Sequence, residues 1–370
     1  VGIKVTIGVI WEKKFPIKVE HFSPKFPSKY VITRDKIEFF NTDGSLKSEI
    51  ILPKISGCDI SKDGKHIGIG SSTGYDEKGY GIGNKVEIFN EEGSLIWESD
   101  KMEGGTFIIS KDGEVQLIDI ESIGGNMGIY NSGGLIKSID LFPEKTFDML
   151  DTGDVSLDGK YYLAKGPGIC LYDTDGNKLW EKLEPAGVMD SYSNAAISPY
   201  GSYIVTVTWT GISSMLTLRE GDNMLSILDK NGNTLLSQKC EHREYSIGFS
   251  PDEEVIVLAS VKEEVLYFTT NPLELKWRHI IEDENKDFNI VEVSRNGRFV
   301  VIAGINFVNN EPQQTRLCIF NNSGDIVWEK IIVGHVWKTT ADDPIIKISD
   351  DDSGFYVGTN NNLEFYRFPE

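Results

Sequence analysis

A chain of 370 residues with a formal net charge of −20 and a pI near 4.7 repels polyanions over most of its surface, which disfavours nucleic acid and anionic membranes as partners. Hydrophobic residues make up 39% and charged residues 25%, a balance that excludes a disordered chain. No apolar run approaches the roughly 20 residues that span a bilayer.

In chain order, a first strand, Val9-Ile10-Trp11-Glu12-Lys13, has no strand beside it in sequence. An apolar run ending in Ser and entering a turn then recurs along the whole chain. The copies are Ser23-Pro24-Lys25-Phe26, Ser61-Lys62-Asp63-Gly64, Ser110-Lys111-Asp112-Gly113, Ser156-Leu157-Asp158-Gly159, Ser198-Pro199-Tyr200-Gly201, Ser250-Pro251-Asp252-Glu253, Ser294-Arg295-Asn296-Gly297 and Ser349-Asp350-Asp351-Asp352. Successive serines lie 38, 49, 46, 42, 52, 44 and 55 residues apart, and the interval counted across the two chain ends is 44.

Each unit carries a second landmark, an alternating strand, a tight polar turn and another strand, as in Ile88-Phe89-Asn90-Glu91-Glu92-Gly93, Leu171-Tyr172-Asp173-Thr174-Asp175-Gly176 and Ile319-Phe320-Asn321-Asn322-Ser323-Gly324. Asn, Asp and Gly supply the left-handed backbone that such hairpins need. Trp97, Trp180 and Trp328 follow four residues after the Gly, and Trp277 holds the same place after Asn271-Pro272. Each unit therefore reads as four antiparallel strands, a to d, with no helix. The last unit has a, b and c (Ile345–Ile348, Gly354–Gly358, Leu363–Phe368) and lacks d. Val9–Lys13 matches Leu179-Trp180-Glu181-Lys182 and Val327-Trp328-Glu329-Lys330, so it supplies the missing strand and removes an open edge.

The predicted fold is thus all-β: an eight-bladed β-propeller, one domain over 1–370, with the N-terminal strand closing the last blade. The blades span roughly 17–53, 54–101, 102–142, 143–184, 185–239, 240–281, 282–333, and 334–370 with 1–16. The Ser-x-Asp-Gly turn resembles WD40-type propeller repeats. The Asp173…Gly176…Trp180 segment resembles the tryptophan-docking motif of eight-bladed quinoprotein-like (PQQ-like) propellers. That resemblance implies that Trp11, Trp97, Trp180, Trp277 and Trp328 dock one blade against the next. The chain departs from both families: its Asp-to-Gly spacing is one residue shorter than the quinoprotein motif, and it lacks the Trp-Asp and Gly-His dipeptides of WD40 repeats. It also has no adjacent cysteine pair, which quinoprotein dehydrogenases carry beside their cofactor.

Cys58, Cys170, Cys240 and Cys318 are far apart and sit in apolar strand patterns, which reads as small reduced hydrophobes with no disulfide framework or zinc site. Unpaired cysteines lean toward the cytoplasm. The chain starts at Val1-Gly2 without Met, which leaves an extracytoplasmic place open to a chain whose signal or anchor has been removed.

Motifs that carry chemistry elsewhere have structural explanations here. Gly70-Ser71-Ser72-Thr73-Gly74 has the spacing of a nucleophile elbow, but it leaves a b strand for a loop and no helix follows. Gly79–Gly83 has no helix N-terminus to hold a phosphate. Asp173–Asn177 and Asp229–Asn233 start like calcium loops, lack the closing Glu, and fall on the repeated turn. Asp350-Asp351-Asp352 reads as a solvated turn. His21, His66, His242, His279 and His335 show no metal-ligand spacing. No metal, cofactor or catalytic residue is expected.

Insertions point to a site instead. The b–c connections lengthen at Ser71–Asn84, Trp209–Asn223 and Asn306–Thr315, and the d–a connections at Glu184–Ser193 and Val333–Asp343. Both kinds emerge at the same end of an up-and-down blade, and long loops gathered there commonly mark a binding face. That face would present Tyr75, Tyr80, Tyr192, Trp209, Arg219, Phe307, His335 and Trp337, residue types that dominate binding hot spots. The expected function is a non-catalytic scaffold or recognition module for a protein or extended ligand. The alternative is an enzyme with its site at the central channel mouth: a quinoprotein-like oxidoreductase, hydrolase or lyase.

Overall fold

The computed structural model describes residues 9–14, 19–22, 30–33, 35–41, 45–52, 55–61, 63–71, 74–75, 81–82, 85–99, 106–109, 115–119, 126–140, 151–165, 168–183, 192–209, 213–214, 217–218, 223–242, 245–260, 264–281, 286–308, 311–333, 345–349, 351–359 and 362–369. Strand β1 (Val9–Lys14) precedes a sheet of β2 (Val19–Phe22), β3 (Tyr30–Thr33), β4 (Lys36–Phe40) and β5 (Leu46–Ile51). The next sheet joins β6 (Ile55–Ile60), β7 (His66–Ser71), β10 (Lys85–Asn90) and β11 (Leu95–Ser99), with a small hairpin, β8 (Gly74–Tyr75) and β9 (Gly81–Ile82), between b and c. Sheets β12 (Thr106–Ile109) to β15 (Gly134–Asp140) and β16 (Asp151–Val155) to β19 (Lys178–Leu183) follow, with β13 (Val115–Asp119), β14 (Asn126–Asn131), β17 (Tyr161–Lys165) and β18 (Gly168–Asp173) inside them.

The next sheet joins β20 (Tyr192–Ile197), β21 (Tyr203–Trp209), β24 (Asn223–Asp229) and β25 (Thr234–Cys240) around a second small hairpin, β22 (Ser213–Ser214) and β23 (Thr217–Leu218). Then come β26 (Tyr245–Phe249), β27 (Val255–Ser260), β28 (Glu264–Thr270) and β29 (Leu273–Ile280), followed by β30 (Lys286–Val293), β31 (Phe299–Val308), β32 (Glu311–Asn321) and β33 (Ile326–Val333). Finally β34 (Ile345–Ile348), β35 (Gly354–Thr359) and β36 (Asn362–Arg367) pair with β1 in the order β1-β36-β35-β34. Among the described residues there are eight four-stranded sheets. The N-terminal strand does supply the fourth strand of the last one, with Trp11 opposite Phe365, Glu12 opposite Glu364 and Lys13 opposite Leu363.

The a–b turns form for one local reason. The Ser250 hydroxyl donates to Asp252 Oδ1 at 2.6 Å and accepts the Val255 N–H at 3.0 Å. The same pair of bonds recurs at Ser61, Ser156 and Ser349. Ser198 and Ser294 keep the second bond alone. The third residue after the serine takes positive φ. Where glycine is missing there, Glu253 (φ 61) and Asp352 (φ 53) hold the left-handed conformation themselves, a strain of about 1 kcal/mol that the closed turn sustains.

The chain packs as two compact units, Val1–Arg34 with Phe40–Ser45 and His242–Glu370, and Asp35–Phe39 with Leu46–Glu241. In the second unit, neighbouring sheets interlock through their first strands: the Ile109 N–H donates to Asp59 at 2.9 Å and the Ile197 N–H to Asp154 at 3.0 Å. Trp180 of β19 lies against the turn of the following sheet, where its indole N–H donates to the Lys230 carbonyl at 2.9 Å and a Cβ at Gly232 would meet the ring at 3.0 Å. Trp97 packs with Ile109 and Tyr130. Two turns rest on other side chains: Gly93 on Phe39, and Gly176 on Lys137 and Ile139.

In the first unit the device repeats. The Trp277 indole donates to the Asn322 carbonyl at 3.2 Å, lies under Gly324, and stacks between Tyr267 and Phe320 at 4.9 and 5.6 Å. Trp328 is buried against Phe355 and Tyr366 of the closing sheet. Large aromatics suit such inter-sheet contacts because each buries much apolar area. The docking role expected of these tryptophans therefore has geometry at Trp97, Trp180, Trp277 and Trp328. Trp11 has its backbone in β1, and its side chain lies outside the described residues.

Candidate functional site

An antiparallel four-stranded sheet puts its a–b and c–d turns at one end and its b–c connection at the other. The a–b and c–d ends are fixed by hydrogen bonds of the turns themselves. Asp173 accepts the Asn177 backbone N–H at 2.8 Å and its amide at 3.0 Å, and Asp229 does the same for Asn233 at 2.8 and 2.9 Å. Burial raises the Asp173 and Asp229 carboxyl pKa values, but these bonds outweigh it and hold both below the usual range. The carboxylates that begin like calcium loops are thus occupied by their own turn. Asp351 accepts from Ser349 at 2.7 Å and Asp352 from the Arg295 N–H at 3.2 Å. Among the described residues no three His, Cys, Asp or Glu side chains are grouped to hold a metal.

The b–c ends differ from sheet to sheet. Hairpins β8–β9 and β22–β23 are built into two of these connections. The segment Asn306–Thr315, expected as a loop, is instead a continuation of paired strands: Asn306 faces Gln314, Phe307 faces Pro312 and Val308 faces Glu311. Its alternating Ile305, Phe307 and Thr315 favour strand over loop. Of the predicted face residues, Tyr75 lies in β8, Tyr192 opens β20, Trp209 ends β21 opposite Asn223, and Phe307 lies in β31. Their side chains lie outside the described residues, as do Tyr80, Arg219, His335 and Trp337 altogether.

A repeated ion pair near the b–c end was missed in the sequence. A cation on strand c, the first residue of β4 and β10 and the sixth of β32, meets a glutamate on strand d: Lys36 with Glu49 at 3.1 Å, Lys85 with Glu98 at 2.5 Å, Arg316 with Glu329 at 2.6 Å. The hydrogen bond to Glu98 holds the Lys85 ammonium pKa above its usual value against the opposing effect of burial. The signal was present, since Glu98 and Glu329 each follow a docking tryptophan. In the sheet of β26 to β29 the polarity is reversed. Buried Glu264 accepts from Arg278 Nε at 2.5 Å, from the Tyr245 hydroxyl and, through its own N–H, is tied to Ser260 Oγ at 3.0 Å. A buried carboxylate with this many partners is a structural group, because removing any one of them would strand a charge. His279 sits edge-on to Phe320 at 5.0 Å; burial lowers its pKa, the Gly324 backbone opposes this, and the Arg316 charge adds to it. Its contact with the ring gives the imidazole a packing role.

These sheets, turns and docking aromatics define an all-β fold of the β-propeller class. Similarity of fold extends over essentially the whole chain: BamB from Moraxella catarrhalis aligns with a TM-score of 0.63 at 13% identity, covering 98% of this chain and all of that one. The C-terminal WD40 domain of Sif2 aligns with a TM-score of 0.63 at 12% identity, covering 100% of this chain and 99% of that one. No protein-family model matches the chain, and no curated protein matches it significantly in sequence. Among the described residues no helix is long and apolar enough to cross a membrane.

Proposed function

We propose that this chain is a non-catalytic recognition module that contacts a protein or an extended ligand through its b–c and d–a connections. One observation carries the reading: the a–b ends are built to one hydrogen-bonded plan, whereas the b–c ends carry the added hairpins β8–β9 and β22–β23 and the long β31–β32 pair. Variation confined to one end of a repeated unit is the pattern expected where the other end serves the fold and this one serves recognition. Tyr75, Tyr80, Tyr192, Trp209, Arg219, Phe307, His335 and Trp337 are the proposed contact residues. Two propellers of similar fold, BamB and the Sif2 WD40 domain, bring support at the level of scaffold alone.

The test is crosslinking and affinity purification from the native source with the parent chain, with Trp209→Ala/Trp337→Ala, and with Tyr200→Ala on an a–b turn as control. The double variant should lose the captured partners while the control keeps them. An unchanged set of partners with the double variant would remove the reading. We propose as well that the eight sheets are successive blades of a single ring; a ring of any other count in an experimental density map would refute it.

A further inference from the structure

Strand β5, like β15 and β25, lacks the docking tryptophan that the remaining d strands carry. Four residues after the turn glycine, where Trp97 follows Gly93 and Trp180 follows Gly176, this strand has Ser48 after Gly44. The docking aromatic is supplied instead by Phe39 of strand β4, whose ring lies under Gly93. Strand β5 is exposed at Leu46, Lys47, Ser48, Glu49 and Ile51. Leu46 is 51% and Ile51 68% exposed, the latter the highest of the exposed large hydrophobics. The strand is the last in the order β2-β3-β4-β5, so one row of its backbone donors and acceptors faces outward. Edge strands of this kind pair with other strands unless proline or uncompensated charge blocks them; β5 has no proline, and its two charges, Lys47 and Glu49, are of opposite sign.

We propose that β5 is an edge-pairing site for a second copy of this chain. The sequence Leu46-Lys47-Ser48-Glu49-Ile50-Ile51 complements itself in antiparallel alignment. With Ser48 on the two-fold axis, Lys47 of each copy lies opposite the partner's Glu49, and Leu46 lies opposite the partner's Ile50. Directly opposed residues share a face and attract when they carry opposite charge or apolar bulk. The small Ser48 fits the axis, where Trp would crowd its own copy. Lys47 and Glu49 balance within β5, and Lys36 beside it lies between Glu38 and Glu49, so the paired strands are locally neutral although the chain carries −20. Two six-residue strands make a contact below the size of a stable dimer interface, so the dimer is a weak one whose population rises with concentration.

Sedimentation velocity of the whole chain over a concentration series tests this, in moderate salt to screen the net charge. The parent chain should dimerise. Lys47→Glu should weaken the dimer roughly tenfold or more, since two opposed pairs become repulsive, and Leu46→Lys, which leaves both charged residues in place, should abolish it. Glu49→Lys alone should also fail to dimerise, while an equimolar mixture of the Lys47→Glu and Glu49→Lys chains should associate, because each restores the other's charge pairs. A melt followed by tryptophan fluorescence confirms that each variant is folded, and Leu46→Lys carries the test where Glu49→Lys does not fold. A parent chain that stays monomeric to about 1 mM, where an association worth about 4 kcal/mol would half-populate the dimer, overturns the proposal. So does a dimer indifferent to Lys47→Glu and Leu46→Lys, or a mixture that fails to associate.

Discussion

The indole N–H of Trp180 donates to the carbonyl oxygen of Lys230 at 2.9 Å while its ring lies under Gly232, whose φ of +80 leaves the turn no side chain on that side. The two features act together: the glycine makes room for the ring, and the ring supplies the hydrogen bond that the exposed turn carbonyl would otherwise seek from water.

The first prediction follows from that pairing. Trp180→Phe should keep part of the packing and lose the hydrogen bond, at about 1 kcal/mol, and Trp180→Ala should cost about 2–4 kcal/mol because the indole is only half-buried. Gly232→Ala should also destabilise, since its Cβ would meet the ring and the backbone is left-handed. In urea denaturation the double variant Trp180→Ala/Gly232→Ala should be less destabilised than the sum of its parts. Strict additivity would separate the two features and refute the docking account.

The propeller class was legible because its signals are local. Ser250 reports its turn through bonds to Asp252 and Val255, and Trp11-Glu12-Lys13 reports the closing strand by matching the Trp-Glu-Lys of other d strands. What could not be read were contacts whose partners lie about 50 residues apart, such as the Ile109 N–H on Asp59, and substitutions of one docking group for another. Phe39 takes over from tryptophan on strand c, and no pattern in β4 distinguishes a ring that meets the next turn from one that fills its own sheet. On length alone Asn306–Thr315 reads as a loop, although its residues continue the pairing of the flanking strands. The candidate face was legible as a set of variable connections and no further, because a binding surface has no periodicity to betray it.

A second prediction concerns the serine turns. Ser250 is fully buried and satisfies both Asp252 and the Val255 N–H, so Ser250→Ala leaves a buried donor unmet and should cost about 1–3 kcal/mol. Ser237→Ala, an exposed position that shares a bond with Ser226, should stay within about 0.5 kcal/mol. Equal losses at the two positions in a thermal or urea melt would mean that the turn is not held by the hydroxyl.

The same turns set an acid limit on stability. Burial raises the carboxyl pKa values of Asp158, Asp252 and Asp351, but hydrogen bonds, led by Ser156 and Lys160 for Asp158, by Ser250 for Asp252 and by Ser353 for Asp351, more than reverse it and hold all three below the ordinary value. With the folded pKa below the unfolded one, which is about 3.9, their contribution is complete above that pH and is lost as the pH falls through the folded values. The urea midpoint should therefore fall steeply below about 4, beneath a shallower decline that begins near 6.5 because the lowered His279 pKa favours the unfolded chain as the imidazole protonates. Ser250→Ala, which removes the hydrogen bond to Asp252, should reduce the steepness of that fall; an unaltered acid profile in this variant would contradict the assignment.

Thiol chemistry gives the last prediction. The Cys170 thiol is pushed up to about 12, first by burial on strand β18 and then by the Glu181 charge opposite it. Only the thiolate attacks an alkylating reagent, so at pH 8 Cys170 should be protected twice over, by its protonation and by its place in the sheet. Cys318 is equally buried, whereas Cys58 and Cys240 are half-buried. Timed labelling with iodoacetamide, read by peptide mass spectrometry, should modify Cys58 and Cys240 first and reach Cys170 and Cys318 only through the small globally unfolded population. Adding urea below the midpoint should speed the slow pair in proportion to the unfolded population. If Cys170 were instead alkylated as fast as Cys240 in the native state, strand β18 would open far more readily than its buried neighbours Ile169 and Leu171 allow.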